Sequence, residues 1–331
     1  MFRNFWFFIS LSLTALAWCG CTGRGKSDEI RFPKPFPEVC VPAMVTEGEA
    51  YLSITANHFW DSYLDSATVW CEFDDSTRIG GVSREAVMEK YGEYVRFLWN
   101  IPVKEALSSQ YRLMNRLESA ALQDSSVVPL FEYMCSLAEE SLYGVNSDFR
   151  NEEFYIPVLE TMIRTSLESS VTEEVMKEKY RKELECCSKN RIGEKAADFI
   201  FCTADGQNSR LYDVESDYIL LFFSNPGCTA CKEIIESVKS SDKISALIAS
   251  GSLKVLNIYI DEDLAEWFKY MPVYPKEWIN AYQPDLRVRK EEIYDVRAIP
   301  SLYILDADKR VVFKDVAPPA AFAFIEHISM E

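Results

Sequence analysis

The feature that most constrains the fold is a pair of cysteines at the point where an apolar run meets a helical pattern. Residues 218–223 read "YILLFF", and the segment "CTACKEIIESVKS" that begins at Cys228 has apolar residues at helical spacing. On a helix, Cys228 and Cys231 would share one face and lie close enough to form a disulfide. The sequence therefore predicts a buried strand, a turn, and a helix whose first turn carries a dithiol.

The position of the two cysteines predicts different roles for them. A sulfur at a helix N-terminus lies beside unpaired backbone N–H groups and the positive end of the helix dipole, which favour a thiolate. We expect Cys228 to attack a disulfide and Cys231, one turn inside the helix, to resolve the resulting mixed disulfide. A zinc site would need two more ligands, but the chain has no second Cys-x-x-Cys motif and only two histidines. No metal and no other cofactor is expected.

Residues 47–190 are predicted to form an all-α domain. Apolar residues recur at spacings of three and four in several stretches, such as "REAVMEKYGEYVRFLWN" and "VKEALSSQYRLMNRLESAAL". Pro102 and Pro129 separate these stretches, as helix boundaries do. We expect five to seven helices here.

Residues 191–331 follow a different pattern, with short strand-like runs between helical segments. Turns at Asp205-Gly206 and within residues 306–309 indicate two hairpins, residues 253–260 read as a second buried strand, and a closing helix begins near Pro318. The sequence thus predicts an α+β chain of two domains, the helical domain followed by an α/β/α domain with a mixed sheet.

The N-terminus reads as an export signal. Arg3 precedes an apolar stretch that is too short to span a bilayer comfortably, so residues 1–20 are predicted to be a signal peptide. Gly20 before Cys21 is similar to a bacterial lipoprotein signal, with plain cleavage as the alternative. We expect lipidation of Cys21, a linker over residues 21–46, and a lipoprotein of the Gram-negative cell envelope that faces the periplasm or the cell surface.

The charge of the chain excludes one class of partner. Its formal net charge is −17, and no block of Lys and Arg is present. Since phosphate binding needs clustered cations, no nucleic-acid partner is expected.

Several other residues allow both a functional and a structural interpretation. His58, beside Trp60, could be a ligand or a base, but helical spacing favours core packing of its aromatic neighbours. The aromatic-rich segment 263–295 could form a docking surface, although packing against its own domain is the simpler interpretation.

The remaining cysteines give weaker signals. Cys40, Cys71 and Cys135 are expected to be buried, and the adjacent Cys186 and Cys187 are not expected to form a working redox couple.

Three motifs in the second half carry a resemblance to a known family. The segments "IGEKAADFIF", "GCTAC" and "YDVRAIPSLYILDADKRVV" are similar to the thioredoxin-fold domains of the TlpA and ResA type, which are membrane-anchored thiol-disulfide oxidoreductases. The resemblance covers about residues 192–331. The helical half resembles a domain of unknown function that precedes such tails in many Gram-negative lipoproteins.

The resemblance implies roles for residues around the cysteines. Pro300 would be a cis proline facing the pair, and a catalytic residue with Cys228 and Cys231. Ile299 would offer its backbone to an extended substrate peptide, with Gly227 and Thr229 as further substrate-binding residues.

The resemblance does not supply a general base. Phe222 stands where thioredoxin keeps a buried carboxylate, and Ile234 where the ResA type has a glutamate. Glu233 and the acidic run 261–263 are weak candidates, and solvated charge is the simpler interpretation.

Two functions follow as hypotheses. The first is an exported, lipid-anchored thiol-disulfide oxidoreductase that reduces or exchanges disulfides in envelope proteins, supplied by a thiol electron donor. The alternative is a redox-inactive thioredoxin-fold module or scaffold whose helical domain holds a partner or ligand.

Overall fold

The computed structural model describes residues 33–40 and 48–328, which belong to one compact unit. The predicted signal peptide, the predicted lipidation site at Cys21 and most of the predicted linker lie outside the described residues. Within the described ranges, none of the helices combines the length and the apolar character that crossing a membrane requires.

The predicted helical half is confirmed. Seven α-helices lie between residues 48 and 190, within the predicted five to seven. The helices are α1 (Glu49–His58), α2 (Asp61–Trp70), α3 (Arg84–Trp99), α4 (Val103–Gln123), α5 (Val128–Ala138), α6 (Glu152–Arg164) and α7 (Glu174–Cys187).

A two-stranded hairpin in the helical half was not predicted. Strands β1 (Arg78–Ile79) and β2 (Val82–Ser83) pair antiparallel between α2 and α3. Two-residue strands are too short to produce a visible alternation in the sequence. The turn is held instead by the Asp74 carboxylate, which accepts hydrogen bonds from the backbone N–H groups of Gly80 and Gly81 at 2.8 and 3.0 Å.

Aromatic residues from the segment around His58 pack the core of this half, as expected. Phe59, Trp60 and Tyr63 are buried, and neighbouring rings contact one another at centroid distances of 5.2 and 5.9 Å. His58 itself is half-exposed and its Nδ1 lies 2.7 Å from a carboxylate oxygen of Asp61. His58 therefore lies at the surface in contact with Asp61, while its aromatic neighbours pack the core.

The second half is built on a seven-stranded mixed sheet. The strands are β3 (Ile200–Thr203), β4 (Asn208–Arg210), β5 (Tyr218–Phe223), β6 (Leu253–Tyr259), β7 (Ile279–Tyr282), β8 (Ser301–Asp306) and β9 (Val311–Phe313). They follow the order β4-β3-β7-β6-β5-β8-β9, with β5, β6 and β7 parallel and the other neighbours antiparallel. Both predicted hairpins and both predicted buried strands are present.

Helices and loops cover both faces of this sheet. Along β5, Leu220 and Phe222 enter one core cluster, while the alternate residues Ile219 and Leu221 enter the other. The helices of this half are α8 (Thr229–Ser240), α9 (Asp242–Ser250), α10 (Leu264–Tyr270), α11 (Arg287–Lys290) and α12 (Pro318–Ile328). The predicted two-domain α+β architecture is confirmed, while the domain boundaries at residues 47 and 191 stay predictions.

The aromatic-rich segment 263–295 packs into the domain. Trp267, Tyr274 and Trp278 are all at most 5% exposed and belong to the core cluster that also contains Cys231. The segment forms α10, β7 and α11, and the burial of these three rings favours the simpler interpretation of packing against its own domain.

The scattered cysteines divide between core and surface. Cys71 and Cys135 are buried as expected, but Cys40 is exposed and the expectation of burial is wrong there. Cys186 and Cys187 are both unbonded thiols at the end of α7, with Cys187 buried and Cys186 half-exposed.

Candidate dithiol site

A tight turn carries the chain from β5 into α8. Gly227 has φ of +74°, a left-handed conformation that glycine adopts without the strain a side chain would add. The turn leaves Gly227 and Thr229 exposed on either side of Cys228. Glycine therefore precedes the first cysteine because this turn requires a left-handed backbone conformation.

The two cysteines occupy the first turn of α8. Cys228 is the N-cap residue, and its Sγ accepts a hydrogen bond from the backbone N–H of Cys231 at 3.1 Å. Cys228 is half-buried, whereas Cys231 is buried. Burial, followed by the neighbouring Cys228 thiol, raises the pKa of Cys231 well above its usual range. The outer sulfur is thus the more accessible of the two, and burial favours the protonated form of the inner thiol.

The proline loop lies against the outer sulfur. The Ile299–Pro300 peptide bond is cis, as the resemblance implies, and the carbonyl oxygen of Ile299 lies 4.0 Å from Cys228 Sγ. Strand pairing explains this proximity, because Ser301 on β8 is opposite Phe223, the last residue of β5. The residues on either side of that pair therefore meet at one edge of the sheet.

The backbone next to Pro300 is available to a partner strand. The N–H groups of Ala298 and Ile299 donate no hydrogen bond to any group in the part of the chain that the structure describes. Ala298 is exposed and Ile299 half-exposed. An extended peptide could pair with this segment by main-chain hydrogen bonds beside the accessible sulfur.

The acidic residues that the sequence offered as candidate general bases face solvent or make structural hydrogen bonds. Glu233 lies on the exposed side of α8, whereas Asp263 accepts a hydrogen bond from the N–H of Glu266 at 3.1 Å and caps α10. Asp261 accepts from Asn225 Nδ2 at 2.8 Å and also bonds Arg289. Asp261 therefore anchors the turn that precedes the cysteines.

A buried polar chain behind the cysteines was missed by sequence reasoning. Ser224 Oγ donates to Asn257 Oδ1 at 2.5 Å, and Asn257 Nδ2 donates to Asn280 Oδ1 at 2.9 Å. The hydroxyl of Tyr274 lies 3.4 Å from Ser224 Oγ, and burial raises the pKa of Tyr274 to about 12, with a smaller contribution from Cys231. This chain supplies neutral hydrogen-bonding groups in the core cluster that also contains Cys231 and Tyr274. An asparagine within the apolar run "LKVLNIYI" was the available signal.

Arg297 connects the proline loop to the helical half. Its guanidinium lies 3.7 Å from the ring centroid of Tyr143, bonds the carbonyl of that residue, and pairs with Glu152 at 3.1 Å. Arg297 also pairs with Asp315 at 3.1 Å, and Asp315 accepts a hydrogen bond from Ser301 at 2.7 Å. Ion pairs therefore hold Arg297 before the cis bond, and the Asp315 carboxylate holds Ser301 after it.

A second buried cation completes this interface. Lys314 Nζ lies 2.6 Å from a carboxylate oxygen of Glu152 and donates to the carbonyls of Cys186 and Cys187 at 3.0 and 2.9 Å. Trp99 of the helical half also stacks on Phe313, with ring centroids 5.9 Å apart. The end of α7 and the proline loop therefore have fixed relative positions.

The described residues contain no group of three or more His, Cys, Asp or Glu side chains that could hold a metal ion.

The sheet topology, the cis-proline loop and the cysteine pair at a helix N-terminus define a thioredoxin-like domain after the helical half. The chain belongs to the family of the domain of unknown function DUF5106, which matches residues 18–190.

Three solved structures are similar to the chain. A thioredoxin-like protein from Bacteroides caccae ATCC 43185 is 35% identical with a TM-score of 0.72, covering 90% of this chain and 98% of that one. The C-terminal domain of an uncharacterized protein from Bacteroides fragilis NCTC 9343 is 42% identical, covers 44% of this chain and 100% of that one, and has a TM-score of 0.41. A domain of a possible thiol-disulfide isomerase from Cytophaga hutchinsonii ATCC 33406 is 21% identical, covers 43% of this chain and 96% of that one, and has a TM-score of 0.37. No match was found among curated proteins.

Proposed function

We propose that this protein is an exported, lipid-anchored thiol-disulfide oxidoreductase of the TlpA and ResA type that reduces or exchanges disulfides in envelope proteins. One observation carries the proposal. The half-buried sulfur of Cys228 lies at the N-terminus of α8, 4.0 Å from the carbonyl of Ile299, with buried Cys231 one turn behind it. An accessible sulfur, an internal resolving thiol and an unpaired backbone segment together support disulfide exchange with a polypeptide.

The reaction proceeds in two exchanges. The Cys228 thiolate attacks one sulfur of a substrate disulfide, so a mixed disulfide forms and the substrate's other sulfur leaves as a thiolate that takes up a proton. Cys231 then loses its proton and attacks Cys228 Sγ, which breaks the mixed disulfide and releases the second substrate thiol. The substrate gains two electrons and two protons, while the protein becomes the Cys228–Cys231 disulfide. A thiol electron donor reduces that disulfide and restores the starting state.

The surroundings of Cys228 support a polypeptide substrate. Ile299 would pair with the substrate backbone, and the exposed residues Gly227 and Thr229 would contact it on the other side of the sulfur. Pro300 would hold the loop in the conformation that presents this backbone. The nearby neutral polar chain around Ser224 would accommodate changes in the charge of Cys231 without a carboxylate.

Location is part of the proposal. Signal cleavage before Cys21 and lipidation of that residue would tether the folded part to a membrane of the Gram-negative envelope, facing the periplasm or the cell surface. Disulfides persist in that compartment, so substrates are available there.

Trapping of mixed disulfides tests this function. Cys231→Ser lacks the resolving thiol, so mature protein carrying this substitution should accumulate disulfide-linked complexes with envelope proteins. These complexes are resolved on non-reducing gels and their linkage to Cys228 is mapped by mass spectrometry. Cys228→Ser and the half-exposed Cys186→Ser are the matched controls, and neither should trap partners in an otherwise wild-type chain.

Absence of complexes with Cys231→Ser would refute the proposal. Together with an inability of the wild-type dithiol to reduce any small disulfide, it would favour the redox-inactive binding module instead.

A further inference from the structure

A cleft lies between the end of the helical half and the proline loop. Its volume is about 650 Å³, within the range of ~300 to 1,000 Å³ that is typical of ligand-binding clefts. One wall is α7, which contributes Lys182 and Cys186, and the other contains Arg289 and Glu292. Neither half of the chain forms the cleft alone.

The cleft adjoins the dithiol site through Ile299. Ile299 lines it, and the carbonyl of the same residue lies 4.0 Å from Cys228 Sγ. Val296, Arg297 and Ala298 line it as well, so it follows the segment whose backbone N–H groups at positions 298 and 299 are unpaired. A chain bound to Cys228 and running along this segment would enter the cleft.

The lining suits an extended polypeptide. Ile260, Val288 and Tyr294 are buried residues that form an apolar base, whereas charged residues of both signs line the walls. Side chains of an extended strand alternate between two sides, so apolar ones could face the base while the polar ones remain in water. Because the walls carry charges of both signs, we expect the bound segment to have a net charge near zero.

The two walls are held together before any substrate binds. Arg297 pairs with Glu152 of α6 at 3.1 Å, and Lys314 donates to the last carbonyls of α7, those of Cys186 and Cys187. Since these contacts are buried, the cleft is preorganised, and binding does not have to order its walls.

We propose that α7 of the helical half forms one wall of the substrate cleft, so that this half selects polypeptide disulfides with an apolar residue beside the reacting cysteine. This inference rests on the proposed oxidoreductase function and gives the helical half a role in it. Cys186 and Lys182 are specificity-determining residues in this arrangement. The size of their side chains sets how much room the cleft has for the substrate, and the Cys186 thiol takes no part in the reaction.

Two matched substrates distinguish binding in the cleft from the reactivity of the dithiol. Both are mixed disulfides with 2-nitro-5-thiobenzoate, whose release is followed by absorbance. One is built on N-acetylcysteine, and the other on a cysteine at the centre of a peptide of about twelve residues with apolar neighbours. The reduced mature protein is used in excess, and second-order rate constants are measured for each substrate.

Cys186→Trp would place an indole ring in the cleft. It should slow reaction with the peptide substrate about tenfold and leave the N-acetylcysteine substrate within about twofold of wild type. Lys182→Trp should act in the same direction, and Glu185→Trp, at an exposed position of α7 outside the cleft, is the matched control. An unchanged rate for the small substrate also shows that each variant is folded.

The outcomes distinguish the two proposals. If the wild-type protein reduces neither substrate, the oxidoreductase function fails and the cleft proposal fails with it. If it reduces both and Cys186→Trp and Lys182→Trp leave the peptide rate unchanged, only the cleft proposal is overturned. An equal loss with both substrates would also overturn it, because the block would then act on the dithiol itself.

Discussion

Replacing Lys314 by methionine should make the stability of this protein unusually sensitive to pH. Lys314 Nζ lies 2.6 Å from a Glu152 oxygen, and both side chains are buried where the two halves meet. Burial raises the pKa of Glu152 to about 7 from an ordinary value of 4.5, although Lys314 and then Arg297 oppose that shift. Loss of the lysine removes the larger opposing charge and should raise the pKa of Glu152 further.

The sign follows from the raised pKa in the folded state. A carboxyl that binds its proton more tightly when folded contributes stability at low pH and loses that contribution as pH rises through its folded pKa. In the wild type this loss runs from about pH 4.5 to about pH 7. In Lys314→Met it should continue above pH 7, since folded Glu152 remains protonated while the unfolded carboxyl is ionised.

The magnitude follows from one pKa unit being worth about 1.4 kcal/mol. Below about pH 6 the variant should differ from wild type by a constant amount, due to the α7 carbonyls left without their donor. Above about pH 7 the difference should widen by about 1.4 kcal/mol per pH unit, which adds about 2.7 kcal/mol to the constant difference near pH 9. Burial also raises the pKa values of Asp295 and Asp315, and Lys314 opposes that shift at Asp295, so a smaller slope from Asp295 is expected in every variant that lacks Lys314.

Urea unfolding measures this difference. Free energies of unfolding are determined by circular dichroism at several pH values for wild type, Lys314→Met, Glu152→Gln and the double variant. The double variant should lose most of the additional slope, because no carboxyl remains at position 152. A constant difference from about pH 6 to about pH 9, or the same slope in the double variant, would refute the assignment to Glu152.

Three further substitutions test the packing. Gly92→Ala within α3 should raise the free energy of unfolding by about 0.5–1 kcal/mol, because a Cβ there meets nothing within 4 Å. Gly80→Ala should lower it by about 2 kcal/mol or more, since φ is +56° and the new Cβ would lie 2.6 Å from Ala67 Cβ. Trp267→Ala should cost about 3–5 kcal/mol, as the indole is fully buried. Urea unfolding at one pH measures the free energy of unfolding of all three variants. Equal effects of Gly92→Ala and Gly80→Ala would contradict the packing described. A cost below about 1 kcal/mol for Trp267→Ala would also contradict it.

Much of the local structure could be predicted because its signals are local. The run 218–223 became β5 and the helix at the cysteines became α8 with the expected end, since an apolar run and a helical period need no distant information. In the seven-stranded sheet, Asp205-Gly206 marked the turn of one hairpin and Asp308-Lys309 the turn of the other. Strand β7, only four residues long, was not predictable, because its pairing with β6 and β3 is what makes it a strand.

The candidate site shows the same division. Spacing predicted Cys228 and Cys231, and resemblance predicted Pro300. The polar chain from Ser224 to Asn280 was not predicted, because its members come from separate strands and each looks unremarkable in its own segment.

By itself the sequence determined where the dithiol lies on its helix and that a helical domain precedes a mixed sheet. Only the tertiary structure decided what surrounds the dithiol. Residues 145 positions apart, Arg297 and Glu152, pair across the two halves and bring the start of α6 beside the proline loop. Hydrophobic periodicity records which face of an element is buried but not which element buries it, so such distant contacts emerge only when the chain is folded.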